Sequence, residues 1–289
     1  MGEEGKSEPE RINKKCIKII LAFILSVSIA YLIGQKVVLP QSDKKNAKGG
    51  IVIYTSFYDN PNMRNNTYSV MDYVGKYYKP NIICLDIGCG SCSKIISVLD
   101  IVKTYYAVDC NPSRIKDAQK LCSKYSNIVL GVCDNYFLPF DPNGFDLVSS
   151  FMTKYNVPEV WRVLKPNGYF IIEIPGANDR KSLREKFGRD ELGWRGRMVY
   201  DSYSDHLWRI KKELTPFFNI RQTEHIHFET SLKTENLIAL LKMTGEIRNF
   251  GNDQDISILR SMQSSDGLIT FEEERILLIA QKNAGDCNK

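Results

Sequence analysis

The sequence predicts an α/β chain built on one open, mostly parallel sheet with helices on both faces. Three observations lead there. Short apolar runs of strand length alternate with helix-like segments from about residue 80 to 176. The first of those runs ends in a tight glycine turn, Gly88-Cys89-Gly90, that enters a helix. Acids stand at three successive strand ends: Asp86, Asp109 and Asp134. Composition agrees, because 43% hydrophobic and 25% charged residues in 289 exclude a disordered, collagen-like or multi-span chain.

The chain opens with a polar tail, residues 1–18, followed by sixteen uncharged residues, 19–34. Including Cys16, Ile17 and a snorkelling Lys18, the run reaches the lower limit of about 17 residues for a bilayer span, so it predicts a single transmembrane anchor. A core helix would carry a polar face, which this run lacks. A cleaved leader would have a shorter polar lead and a small-residue site after the apolar run. Lysines flank both ends, five basic residues before and four after, so the positive-inside rule does not choose an orientation. Residues 35–50 read as a lysine-rich linker. Residues 1–50 carry nine Lys/Arg against five Asp/Glu, leaving thirty against twenty-nine elsewhere. The body is nearly neutral, without the global basicity of a nucleic-acid binder.

Residues 51–283 then read as one domain, with 284–289 a short tail. A helix-like lead-in, Tyr68 to Tyr78, stops at Pro80. Strand-like runs follow at 82–87, 105–109, 127–133, 145–151 and 169–174, separated by Pro112-led and Glu159-containing helices. An acid closing the second strand nineteen residues after Gly90 suits both hydroxyls of a ribose. Residues 217–228 predict a sixth strand and 275–281 the last. Polar segment 179–212 and a helical pair within 231–265 predict a small helical cap. The basic surplus of 179–212 reads as a solvated face, with an anionic membrane surface as the next reading.

Eight cysteines include Cys89-Gly90-Ser91-Cys92, the spacing of a redox pair. The glycine turn explains that spacing, and no second CxxC completes a zinc site, so no metal is expected. Unpaired buried thiols fit a reducing compartment.

The ordered set LDIGCG (85–90), AVD (107–109), CDN with LPF (133–140), FDLV (145–148) and RVLKPNG (162–168) resembles the class I S-adenosylmethionine-dependent methyltransferases, notably the type 11 group. The resemblance covers about residues 80–176. It implies a Rossmann-like seven-stranded methyltransferase sheet and S-adenosyl-L-methionine as cofactor. Carried over, Asp86, Gly88 and Gly90 line the methionine end, Asp109 binds the ribose, and Asp134 binds the adenine amino group with Asn135 beside it. Cys92 departs from a common third glycine. Asn167 replaces the usual glycine of the KPGG turn, harmlessly, since Asn accepts left-handed geometry. A dinucleotide oxidoreductase would place a glycine at position 93, which is Ser93.

The expected reaction is methyl transfer to a small-molecule or lipid-like acceptor near a membrane, with the catalytic domain on the cytoplasmic side. Tyr155 is the candidate catalytic residue, with Lys154, His206, His225 and His227 behind it; His225 and His227 share one strand face. A similarity of the Leu-Leu-Lys-Met-Thr stretch (240–244) to 23S ribosomal RNA guanine-N1 methyltransferases keeps RNA as an alternative acceptor, though their N-terminal zinc ribbon has no counterpart here. The other alternative is a non-catalytic cofactor-binding interaction module. Nothing in the sequence sets the oligomeric state.

Overall fold

The computed structural model describes residues 68–196 and 202–283. The predicted anchor at 19–34, the tail, the linker and the residues after 283 lie outside that description. Among the described residues no helix is long and apolar enough to cross a membrane.

Seven strands form one sheet: β1 Ile83–Ile87, β2 Thr104–Asp109, β3 Ile128–Val132, β4 Phe145–Phe151, β5 Leu164–Pro175, β6 Phe218–Lys233 and β7 Leu268–Lys282. Their spatial order is β3-β2-β1-β4-β5-β7-β6, with β7 alone antiparallel to its neighbours. The order reverses at β1, so β1 and β4 diverge at the carboxyl edge, the usual place for a ligand in an open α/β sheet.

The helices between strands start where the sequence supplies a cap. Ser69 caps α1 (Val70–Val74), and its hydroxyl accepts from the Met71 amide. Asn111 caps α2 (Pro112–Leu121), with Pro112 in the first turn. α3 (Val157–Val163) buries Val157, Val160 and Val163 on one side. The predicted helix after the glycine turn is instead a 3-10 helix, Ser93–Val98. Its entry residue Cys92 sits at φ +69°, a left-handed backbone that a third glycine would adopt without strain. Asn167 takes φ +64°, as its side chain allows.

Each sheet face carries a core. One gathers Cys84, Leu147, Ile171, Leu277 and Ile279 under α1 and the 3-10 helix. The other gathers Leu85, Val148, Phe170, Ile276 and Leu278 under α3 and α5 (Tyr203–Leu214). β6 and β7 are longer than predicted and run past the end of β5 as a two-stranded ribbon. That ribbon, α4 (Lys181–Glu185), α6 (Thr234–Thr244) and α7 (Asp253–Ser261) enclose a third core of Leu183, Leu232, Leu237, Leu241, Leu259 and Phe271. The cap therefore has its own interior. The predicted cap segment 179–212 divides in two: Leu183 and Phe187 belong to the cap, whereas Ile210 and Leu214 of α5 pack on the sheet.

Candidate active site at the carboxyl edge of the sheet

The first strand delivers Asp86 and the turn that follows it. Gly88, at φ +68°, has Thr153 so close that an added Cβ would collide with its side chain. No other residue type fits there. Asn135, from the loop after β3, donates to Thr153 Oγ1 at 3.3 Å and to the Lys154 carbonyl at 3.1 Å. Gly88, Thr153 and Asn135 thus meet at the divergence of β1 and β4. The Asn135 carbonyl oxygen is buried without a hydrogen-bond partner, an acceptor ready for a ligand N–H.

Asp109 closes β2 and is buried. Its Oδ2 accepts the Gly90 amide at 3.0 Å and its Oδ1 the Asn111 amide at 2.8 Å. One carboxylate therefore ties the glycine turn to the start of α2. Asp134 is exposed and accepts the Tyr136 amide at 2.9 Å, which fixes the turn beside Asn135. The LPF segment after it is held from α3: Glu159 accepts the Leu138 amide, and the Arg162 guanidinium donates to the Leu138 and Phe140 carbonyls.

Asp86 is only 3% exposed and accepts the Ser149 hydroxyl at 2.7 Å. Burial pushes its carboxyl up to about 7, against the opposing pull of Ser149 and Lys94. A raised carboxyl destabilises as pH rises. Below about pH 4 both folded and unfolded chains hold the proton; between about 4 and about 7 only the unfolded chain ionises, and stability falls across that window. Asp86→Asn is expected to flatten this slope and to gain a few kcal/mol over the native chain at pH 8, at about 1.4 kcal/mol for each pH unit between the folded and unfolded titrations. Denaturant melts of both proteins from pH 4 to 8 would check it, and parallel curves would contradict it.

Residues 85–172 match the family model described as a methyltransferase domain, of the type 11 group. The matched stretch, under a third of the chain, resembles a methyltransferase domain. Among solved structures, a protein of Bacillus halodurans C-125 described as a methyltransferase aligns at 18% identity, over 74% of this chain and 99% of its own, with a TM-score of 0.52. The [4+2]-cyclase SpnF aligns at 14% identity over 92% of this chain and 96% of its own, with a TM-score of 0.51. At such identity these likenesses speak for the fold, and the second protein is named for a reaction other than methyl transfer. No curated protein matches the chain by sequence.

The sheet brings Asp86, Gly88, Gly90, Asp109 and Asn135 together at its carboxyl edge, with Asp134 at the rim. Tyr155 is set differently: its ring stands edge-on to Phe170, 5.1 Å between centroids, in the core of the opposite sheet face from Asp86. The thiols Cys84, Cys89, Cys92, Cys110, Cys122 and Cys133 are free, and burial pushes the Cys89 thiol up, away from a reactive thiolate. Two surface clefts of about 470 and 410 Å³ lie at the opposite, amino edge of the sheet, lined by Lys211 and Phe218 and by Lys76 and Lys165 respectively.

A buried ionic group has no counterpart among the sequence-based expectations. Glu173, on the same face as Asp86, accepts Lys94 Nζ at 2.5 Å and the Tyr68 hydroxyl at 2.9 Å. Burial alone would push its carboxyl up, but Lys94, Arg275 and Tyr68 hold it below the usual range. Arg275 in turn donates to Asp179 at 2.5 Å and Glu273 at 3.0 Å, and Arg180 donates to Glu273 and Glu246. The signal available was a lone acid inside an apolar strand, Phe-Ile-Ile-Glu-Ile, and the run Glu-Glu-Glu-Arg leading into another.

Proposed function

We propose that this chain is an S-adenosylmethionine-dependent methyltransferase acting on a small-molecule or lipid-like acceptor at a membrane surface. The observation that carries the cofactor reading is the shared carboxylate of Asp109, which joins the glycine turn to α2 and closes the strand whose end faces the ribose position in such folds. Asp109 would hold the ribose hydroxyls, Asn135 and Asp134 the adenine edge, and the turn from Asp86 to Gly90 the methionine end. The orphaned Asn135 oxygen fits that assignment. The bound cofactor supplies a methyl group already activated on a sulfonium. The protein's part is to align an acceptor with it and keep water out.

The membrane half of the reading rests on the apolar run 19–34 and the lysine-rich linker behind it. The free thiols support a cytoplasmic catalytic domain, since such compartments are reducing. The test uses the full chain in mild detergent with methyl-labelled S-adenosylmethionine and the separated lipid, small-molecule, RNA and protein fractions of its own cell. Label in the lipid or small-molecule fraction is the expected result. Label in RNA would replace the acceptor class. Tight cofactor binding with no transfer to any fraction would make the chain a non-catalytic binding module and overturn the enzyme reading.

A further inference from the structure

The chain has three histidines, and all three gather near one buried carboxylate. His225 and His227 stand two apart on β6, so their side chains leave the strand on one face, with ring centroids 4.2 Å apart. The register with β7 sets His227 directly opposite Glu274. One ligand atom each from His225, His227 and Glu274 lie within 4.8 Å of one another. The third histidine, His206 on α5, is close enough for the Glu274 charge to act on it against the burial that keeps its ring neutral.

Neighbouring groups hold these side chains in place. Glu274 is 2% exposed, and its Oε2 accepts the Asn178 amide at 2.5 Å. Its Oε1 meets His225 Nε2. Gly176 is required beside it, because a Cβ there would collide with the carboxyl group. Tyr203, one turn before His206 on α5, stacks on the His225 ring at 3.6 Å between centroids and 6° between planes. The Glu274 carboxylate is buried against His225, which carries charge only when protonated, and the Arg184 charge also acts on it. The two imidazoles are exposed, so a cation has an entrance.

We propose that His225, His227 and Glu274 bind a divalent first-row transition metal. Two imidazoles and one carboxylate favour zinc, iron, cobalt or manganese over magnesium or calcium, which prefer oxygen. Metal–ligand distances of about 2.0–2.2 Å set ligand atoms about 3–3.5 Å apart, so His227 must draw in while His225 and Glu274, in direct contact here, part to admit the ion, a movement within reach of two exposed side chains. Three protein ligands leave positions open to solvent or to an oxygen of a bound molecule. The site lies just past the end of β5, where the Gly176 amide donates to the Glu274 carbonyl. Its use in holding an acceptor oxygen rests on the methyl-transfer reading; metal binding itself does not. Thiolate spacing gives no sign of this site, since its ligands come from strand register.

The test is a titration of the chelator-stripped full chain with Co²⁺, without cofactor, followed by Zn²⁺ competition. The expected result is one equivalent of cobalt with visible d–d bands, no thiolate-to-cobalt charge-transfer band, and displacement by zinc. His227→Ala and His225→Ala should each weaken binding roughly 10- to 100-fold or more while circular dichroism stays unchanged. No stoichiometric binding, unchanged affinity in both variants, or a thiolate charge-transfer band would overturn the site. Because no S-adenosylmethionine is present, failure here is independent of whether the chain transfers methyl groups.

Discussion

Replacing Asp109 with Ala is expected to weaken S-adenosylmethionine binding about 100-fold. A carboxylate that accepts from a ligand hydroxyl contributes about 1.5–3 kcal/mol, and two such hydroxyls are at stake, so about 3 kcal/mol is a conservative sum. The same side chain accepts the Gly90 and Asn111 amides, so the substitution also releases the turn from α2. Asp109→Asn separates the two effects. It keeps one acceptor oxygen for the backbone but removes the charge, and should fall about tenfold below the native protein. Isothermal titration of the folded variants measures both numbers. Unchanged affinity in Asp109→Ala would move the ribose contact elsewhere.

The second large effect is on stability. Arg275→Met removes a side chain that touches Asp179, Glu273 and Glu173 together. Burial would lower the Arg275 guanidinium, yet Asp179 and Glu273 hold it above its usual range, so its charge is fixed in the folded chain. Removing one partner of a buried ionic group leaves the others uncompensated, at a cost of about 3–5 kcal/mol. Denaturant unfolding of native and variant protein reads this directly. A double variant, Glu173→Gln with Arg275→Met, should be less unstable than the sum of the single changes, since the two groups share one network. A loss below about 1 kcal/mol would mean that solvent reaches the network.

The sheet is readable because its strands are nearly continuous apolar runs, as strands buried on both faces must be. LDIGCG, AVD and FDLV each end or begin such a run, which places β1, β2 and β4 to within a residue or two. The helix after the glycine turn reads as α in the sequence because Cys92 hides its left-handed backbone behind a side chain. The ribbon exceeds its predicted length for a different reason: its outer half, Glu229–Lys233 paired with Leu268–Glu272, carries charges and threonines that look like loop. The cofactor-side residues share local motifs and can be named from them. Lys94, Glu173 and Arg275 come from separate places and meet only through the order β1-β4-β5-β7, and His225, His227 and Glu274 only through the pairing of β6 with β7, which no local pattern encodes. Tyr155 is marked in the sequence by its distance from β4 alone; the side of the sheet it faces is not legible there.

The cap's separate interior has an evolutionary consequence. Leu237, Leu241, Leu259 and Phe271 pack chiefly with one another and with Leu183, not with the residues under β1 and β2. Substitutions among them are therefore screened against the cap's own fit and leave the glycine turn and Asp109 undisturbed. On the methyl-transfer reading proposed above, such an arrangement would let a lineage change its acceptor through the cap while the nucleoside-binding half keeps its residues.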